Sequence, residues 1–480
     1  LSTGVVGALN STQVAALTGG DLTALSTNIA AISSKAISGI STTNLAALGT
    51  AQLSILTTGQ MTGLTSAQVN ALTTGQIGSV TSTQIGALSA TQVAGLSNAN
   101  VALLGNSVLG AIKTSSISGL TTSQVGALVS GQIAGLTNGQ IGALSSSQVA
   151  ALGANVVQMS SSQLGAISAK SIAGIPTANI GSLVTANLAG LTTTQIAAMT
   201  TGQVAALGTG QIAGLTSTQL GALNSSQVGV LSAGQLTAIS TGIASLTSSA
   251  VVGLTSTQIG GLGTAQVAVV TTGAVGALSS TQVAALTGGD LTALSTNIAA
   301  ISSKAISGIS TTNLAALGTA QLSILTTGQM TGLTSAQVNA LTTGQIGSVT
   351  STQIGALSAT QVAGLSNANV ALLGNSVLGA IKTSSISGLT TSQVGALVSG
   401  QIAGLTNGQI GALSSSQVAA LGANVVQMSS SQLGAISAKS IAGIPTANIG
   451  SLVTANLAGL TTTQIAAMTT GQVAALGTGQ

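Results

Sequence analysis

Leu72-Thr73-Thr74-Gly75-Gln76-Ile77-Gly78-Ser79 is the unit on which the reading of this chain turns. A large apolar residue opens it, a second sits at position 6, and Val80 starts the same pattern again. Position 2 is usually Ser or Thr, positions 3 and 4 are small or polar, position 5 is usually Gln, and positions 7 and 8 are mostly Gly or Ala. Stepping outward by eight, the opening residues are Leu48, Leu56, Leu64, Leu72, Val80, Leu88, Leu96 and Leu104. Internal periodicity of this kind marks a repeat architecture.

From Leu1 to Leu476 there are 60 units, 55 of eight residues and five of seven. The short ones begin at Leu25, Leu152, Ile239, Leu294 and Leu421. A longer period lies over the first: residues 11–211 recur unchanged as 280–480, heptads included. No linker or composition shift interrupts the series, so the chain reads as one continuous repeat array over residues 1–480. Its start at Leu1 reads as the interior of a longer protein.

An uninterrupted α-helix does not fit this spacing. Eight residues advance about 800°, roughly 80° past two full turns, so the leucines would spiral around the surface. A plain strand fits no better, because period two places positions 6 and 8 on one face and position 1 on the other. A short helix with a break in every unit does fit. Position 2 draws on the N-cap residue types. Gln at position 5 is then N3 and completes a capping box, as in Thr81-Ser82-Thr83-Gln84. Val80 and Ile85 take the N′ and N4 places of a hydrophobic staple. Position 6 and the next position 1 share one face, and positions 3 and 7 share the opposite one.

Glycine is the objection, with 65 in the chain, since each weakens a helix interior. Close approach of neighbouring coils is one answer. The other is a β-solenoid with Thr-x-Gly-Gln turns and ladders of Gln. The fold expected is therefore a repeat solenoid, all-α with one very short capped helix per unit, with the β-solenoid as the alternative. In either case burying one Leu and one Ile returns less than ordering eight residues costs, so a unit folds only on its neighbours.

Composition narrows the function classes. The chain has no His, Cys, Arg or aromatic residue, and its charges are six Lys and two Asp. Nucleic-acid binding lacks both a basic patch and stacking rings. Nucleophilic and acid–base chemistry lack a base to activate the many hydroxyls. The reading therefore assigns no catalytic, cofactor-binding or metal-ligating residue, no cofactor and no small-molecule substrate; the protein is not expected to be an enzyme. Polar residues interrupt every apolar run well short of the ~18–20 needed to span a bilayer.

Individual residues carry structural readings. Lys35, Lys113 and Lys170, repeated as Lys304, Lys382 and Lys439, fall in the polar part of the unit. Asp21 and Asp290 stand at position 5 and read as variant caps; one isolated Asp per block is a poor calcium ligand set. Met61, Met159 and Met199 fall at core positions. Pro176 and Pro445 occupy position 2, where a missing N–H is tolerated. Asn10-Ser11-Thr12 and Asn224-Ser225-Ser226 match an N-glycosylation pattern, a weak signal in so Ser/Thr-rich a chain.

Leu215-Thr216-Ser217-Thr218-Gln219-Leu220-Gly221-Ala222 and Leu191-Thr192-Thr193-Thr194-Gln195-Ile196-Ala197-Ala198 resemble the octapeptide repeats of very large bacterial surface proteins. Those proteins are often labelled haem-utilisation or adhesion proteins. The resemblance covers the whole chain and implies a secreted or surface-attached bacterial product. The haem label finds no His, Cys or Tyr here to ligate iron. The expected function is an extracellular filament, sheath or surface fibre that associates with itself. The alternative is an adhesin shaft presenting a tip outside this sequence. Ice binding by Thr arrays is a third option, disfavoured by the irregular mixture at positions 2–4.

Overall fold

In a computed structural model, which describes all 480 residues, the chain folds into 51 short α-helices and nine 3-10 helices, with no strand. It forms two compact units, Leu1–Ile239 and Ser240–Gln480. Each is an all-α solenoid of single-turn helices, one per repeat. The capped-helix expectation holds, and the β-solenoid alternative does not.

The local geometry follows the sequence pattern. In the unit opened by Leu72, the helix Thr74–Ile77 is preceded by Thr73 as an extended N-cap (φ −75°, ψ 160°). The Gln76 N–H donates to Thr73 Oγ1 at 3.2 Å, and the Thr73 N–H donates to Gln76 Oε1 at 2.8 Å. Two donors that a helix start leaves without partners are thus satisfied within the unit. The chain then leaves the helix through another extended residue, the next position 1; Leu64, for example, has φ −64° and ψ 141°. Each octad is therefore a helical turn followed by a two-residue extended corner.

The five heptads turn their corners differently. Position 1 stays helical, as at Leu25 (φ −64°, ψ −24°) and Leu421 (φ −58°, ψ −27°). Position 2 enters the left-handed region in all five: Ser26, Gly153, Ser240, Ser295 and Gly422. A six-residue 3-10 helix follows each time, such as Ser26–Ala31 or Gly153–Gln158. Losing one residue removes the extended corner, and a sharper αR–αL bend replaces it. Left-handed serine costs roughly 1–2 kcal/mol, a strain that glycine avoids at 153 and 422.

Side chains at positions 1 and 6 point inward in every complete coil of both units. Leu45, Leu53, Val69 and Val93 are fully buried, as are their copies in the second unit, Leu314, Leu322, Val338 and Val362. Helices stack on those three units away: Ser66–Asn70 lies against Ala90–Gly95, and Thr209–Ala213 against Ala233–Ile239. Glycine at position 8 permits this approach. A Cβ on Gly119 would lie 2.2 Å from the Ala90 carbonyl oxygen, closer than any real contact. Packing between coils thus accounts for glycines such as Gly39, Gly119 and Gly190, which helix propensity alone disfavours.

Candidate functional site: the glutamine seam between coils

The position-5 glutamines do more than cap. Gln76 is buried, and its Nε2 donates to the carbonyl oxygens of Leu45 (2.8 Å) and Leu48 (2.9 Å), 31 and 28 residues upstream. Gln92 does the same to Met61 and Leu64, both at 2.7 Å. In the second unit Gln345 bonds Leu314 and Leu317. One circuit of the solenoid therefore takes about 28 residues, three and a half octads. Both Nε2 hydrogens and the Oε1 are used, so the buried amide is fully satisfied. The Leu48 carbonyl lies past the end of its own helix, where an acceptor would otherwise lack a partner. Each of these glutamines thus ties a helix start in one coil to a helix end in the coil before. Two such bonds contribute roughly 1–3 kcal/mol net.

Shorter side chains at position 5 reach less far. Asn44 Nδ2 donates only to the Leu17 carbonyl (2.9 Å), and Asn187 only to that of Met159 (2.8 Å). Asn100 reaches Leu72 at 2.7 Å but leaves its buried Oδ1 without a partner. One methylene fewer brings the amide to one carbonyl instead of two and pulls the oxygen away from the N-cap.

The residues singled out in the sequence are placed as follows. All six lysines are exposed. Lys113 borders an open groove with Thr58, Thr62 and Thr83. Asp21 and Asp290 are caps: each accepts from the N–H and hydroxyl of the threonine three residues before, Thr18 and Thr287. The hydrogen bond from the Thr18 side chain, seconded by its backbone N–H, holds the Asp21 carboxyl below its ordinary pKa. Met61, Met159 and Met199 are buried in the core. Pro176 is an N-cap (φ −60°, ψ 131°). It has no N–H to offer a glutamine oxygen, and its unit carries Asn179 at position 5. Asn10 and Asn224 are N-caps whose Oδ1 accepts from Gln13 and Gln227, so both amides already serve the fold.

A narrow apolar cavity of about 20 Å³ lies in the second unit among Ile243, Val251, Leu254, Ile259, Val267 and Leu278. Its wholly apolar lining offers a water molecule no hydrogen-bonding partner. No helix is long and apolar enough to cross a membrane.

A family model described as the ALTTAQ repeat matches six stretches: residues 108–138, 172–209, 204–241, 315–351, 378–407 and 441–478. The chain is a repeat protein. Most of the matched stretches of this repeat protein run over four or more consecutive octads, longer than one circuit of the coil. No curated protein matches the chain, and no solved structure does.

Read from sequence, Gln in the helical fold has the capping role alone, with a Gln ladder between coils expected only in the β-solenoid alternative, although a signal for the inter-coil role is present. Glutamine is not distributed evenly. Six consecutive units carry it at position 5 from Gln52 to Gln92, and six more from Gln195 to Gln235. Between such blocks lie runs of three units without it: Asn28, Ala36, Asn44; Asn100, Val108, Ser116; and Ser171, Asn179, Asn187. Every lysine falls in one of these runs or in its downstream copy.

Proposed function

We propose that this repeat protein is structural: an extracellular filament, sheath or surface fibre in which the solenoid supplies length and spacing. The observation that carries the reading is the translational repetition of the glutamine tie. A unit with Gln at position 5, such as that of Gln76, meets carbonyls 28 and 31 residues upstream, and an added coil repeats the same contacts. The material gains length with every repeat and needs no new core design.

The surface suits homotypic contact. Positions 2 to 4 present Ser, Thr and Gly to solvent, as Thr73, Thr74 and Gly75 do, and charges are few. Little electrostatic repulsion opposes lateral or end-to-end association. The bacterial, secreted or cell-surface location rests on the resemblance to octapeptide-repeat surface proteins. Negative-stain electron microscopy with light scattering across a concentration series tests the proposal. Ordered filaments or sheets that grow with concentration are expected. Monodisperse single particles at every concentration overturn self-association and favour the adhesin-shaft reading.

A further inference from the structure

We propose that each compact unit is built to open at regularly spaced planes, located where a glutamine-poor tier meets the coil before it. In the first unit these tiers start at Leu25, Leu96 and Ile167, 71 residues apart; in the second they start at Leu294, Leu365 and Ile436, again 71 residues apart. Each interval holds nine repeat units, three without glutamine and then six that carry it, except that the heptads at Leu152 and Leu421 have Asn155 and Asn424 in its place.

The ties across the two kinds of interface differ sharply. The tier 96–119 reaches back through Asn100 to Leu72 alone, supplemented by a surface bond from Ser82 Oγ to the Ser107 carbonyl at 3.4 Å. The tier 167–190 reaches back through Ser171 Oγ to Leu144 and Asn187 Nδ2 to Met159. The tier 25–47 has Asn28 to Leu1 and Asn44 to Leu17. By contrast, Gln195, Gln203, Gln211 and Gln219 each hold two carbonyls of the coil before them, from Leu164 to Leu191.

The asymmetry is directional. The tier 96–119 is gripped from its downstream side by Gln124, Gln132 and Gln140, which bond Leu96, Val101, Leu104, Leu109 and Ile112. Only its upstream side is loosely tied. Opening there separates one nine-unit block from the block before it and breaks two buried ties, Asn100 to Leu72 and Gln124 to Val93. The tiers also carry all the lysines, all of them exposed, so the loosely tied layers hold six of the chain's eight charged side chains. In the spacer role proposed above, such planes are where extension under tension would begin; the opening itself does not depend on that role.

Amide hydrogen exchange on the intact protein, read by mass spectrometry of peptic peptides, tests this. Peptides within 25–47, 96–119 and 167–190 and their copies are expected to exchange about tenfold faster than peptides within 52–92 or 195–235. Asn100→Gln, which restores the second carbonyl contact, should slow exchange in 96–119 and leave 167–190 unchanged in the same sample. Uniform exchange along each unit, or slower exchange in the tiers, overturns the proposal. So does an Asn100→Gln chain whose 96–119 tier exchanges as before.

Discussion

Residues 11–211 and 280–480 are the same sequence in different surroundings, and the differences separate what a repeat unit determines by itself from what its neighbours supply. Ser11–Ala15 and Ser280–Ala284 are both helices with complete capping boxes, so the local fold is indifferent to position. Their glutamines diverge. Gln282 is buried and bonds Val251 and Leu254; Gln13 is exposed, and its side chain is engaged only with its own N-cap. Toward the other end, Ile196 is 1% exposed beneath the coil that carries Gln227, whereas Ile465 is 47% exposed. The helix belongs to the octad; the core belongs to the stack.

The largest expected effect is on the apolar spine. Ile196→Ala should lower the free energy of local opening by about 3–4 kcal/mol through lost burial and a residual cavity. Ile465→Ala, with the same neighbours in sequence, should cost less than about 1 kcal/mol. Hydrogen exchange of flanking peptides in the two variants measures both. Equal effects would break the distinction between unit and stack.

A smaller difference is expected at the seam. Gln282→Ala removes two inter-coil bonds and a cap and strands buried carbonyls, for about 2–3 kcal/mol. Gln13→Ala removes the cap alone, about 1 kcal/mol. Comparing the pair by the same exchange measurement isolates the tie between coils from the capping box.

The smallest effect concerns acid. The Asp21 carboxyl is held below its ordinary pKa by Thr18, so ionised Asp21 favours the folded form. That contribution is complete above the ordinary carboxylate pKa and disappears as pH falls through the lowered value. Exchange in peptides covering 18–25 should therefore quicken in acid beyond the intrinsic trend, and Asp21→Asn should abolish the extra dependence.

Much of this was legible in the residues alone. Ser or Thr at position 2 with Gln at position 5 specifies the capping box, and the Leu and Ile series specify the buried face. The heptads at Leu25, Leu152, Ile239, Leu294 and Leu421 mark every left-handed corner. The reach of Gln76 to Leu45 and Leu48 was not legible. It depends on where a circuit closes, and an eight-residue period does not state that three and a half octads make one turn. The nine-unit alternation of glutamine-rich and glutamine-poor runs was in plain sight, yet it has meaning only once the amide's second role is known. Gly119 is similar: its need for close approach appears only when Ala90 is seen beside it.

Far-UV circular dichroism of the purified chain tests most directly the claim that each octad is a capped helical turn stacked into a coil. A helical spectrum with its double minimum is the predicted result. A single-minimum β spectrum would contradict it.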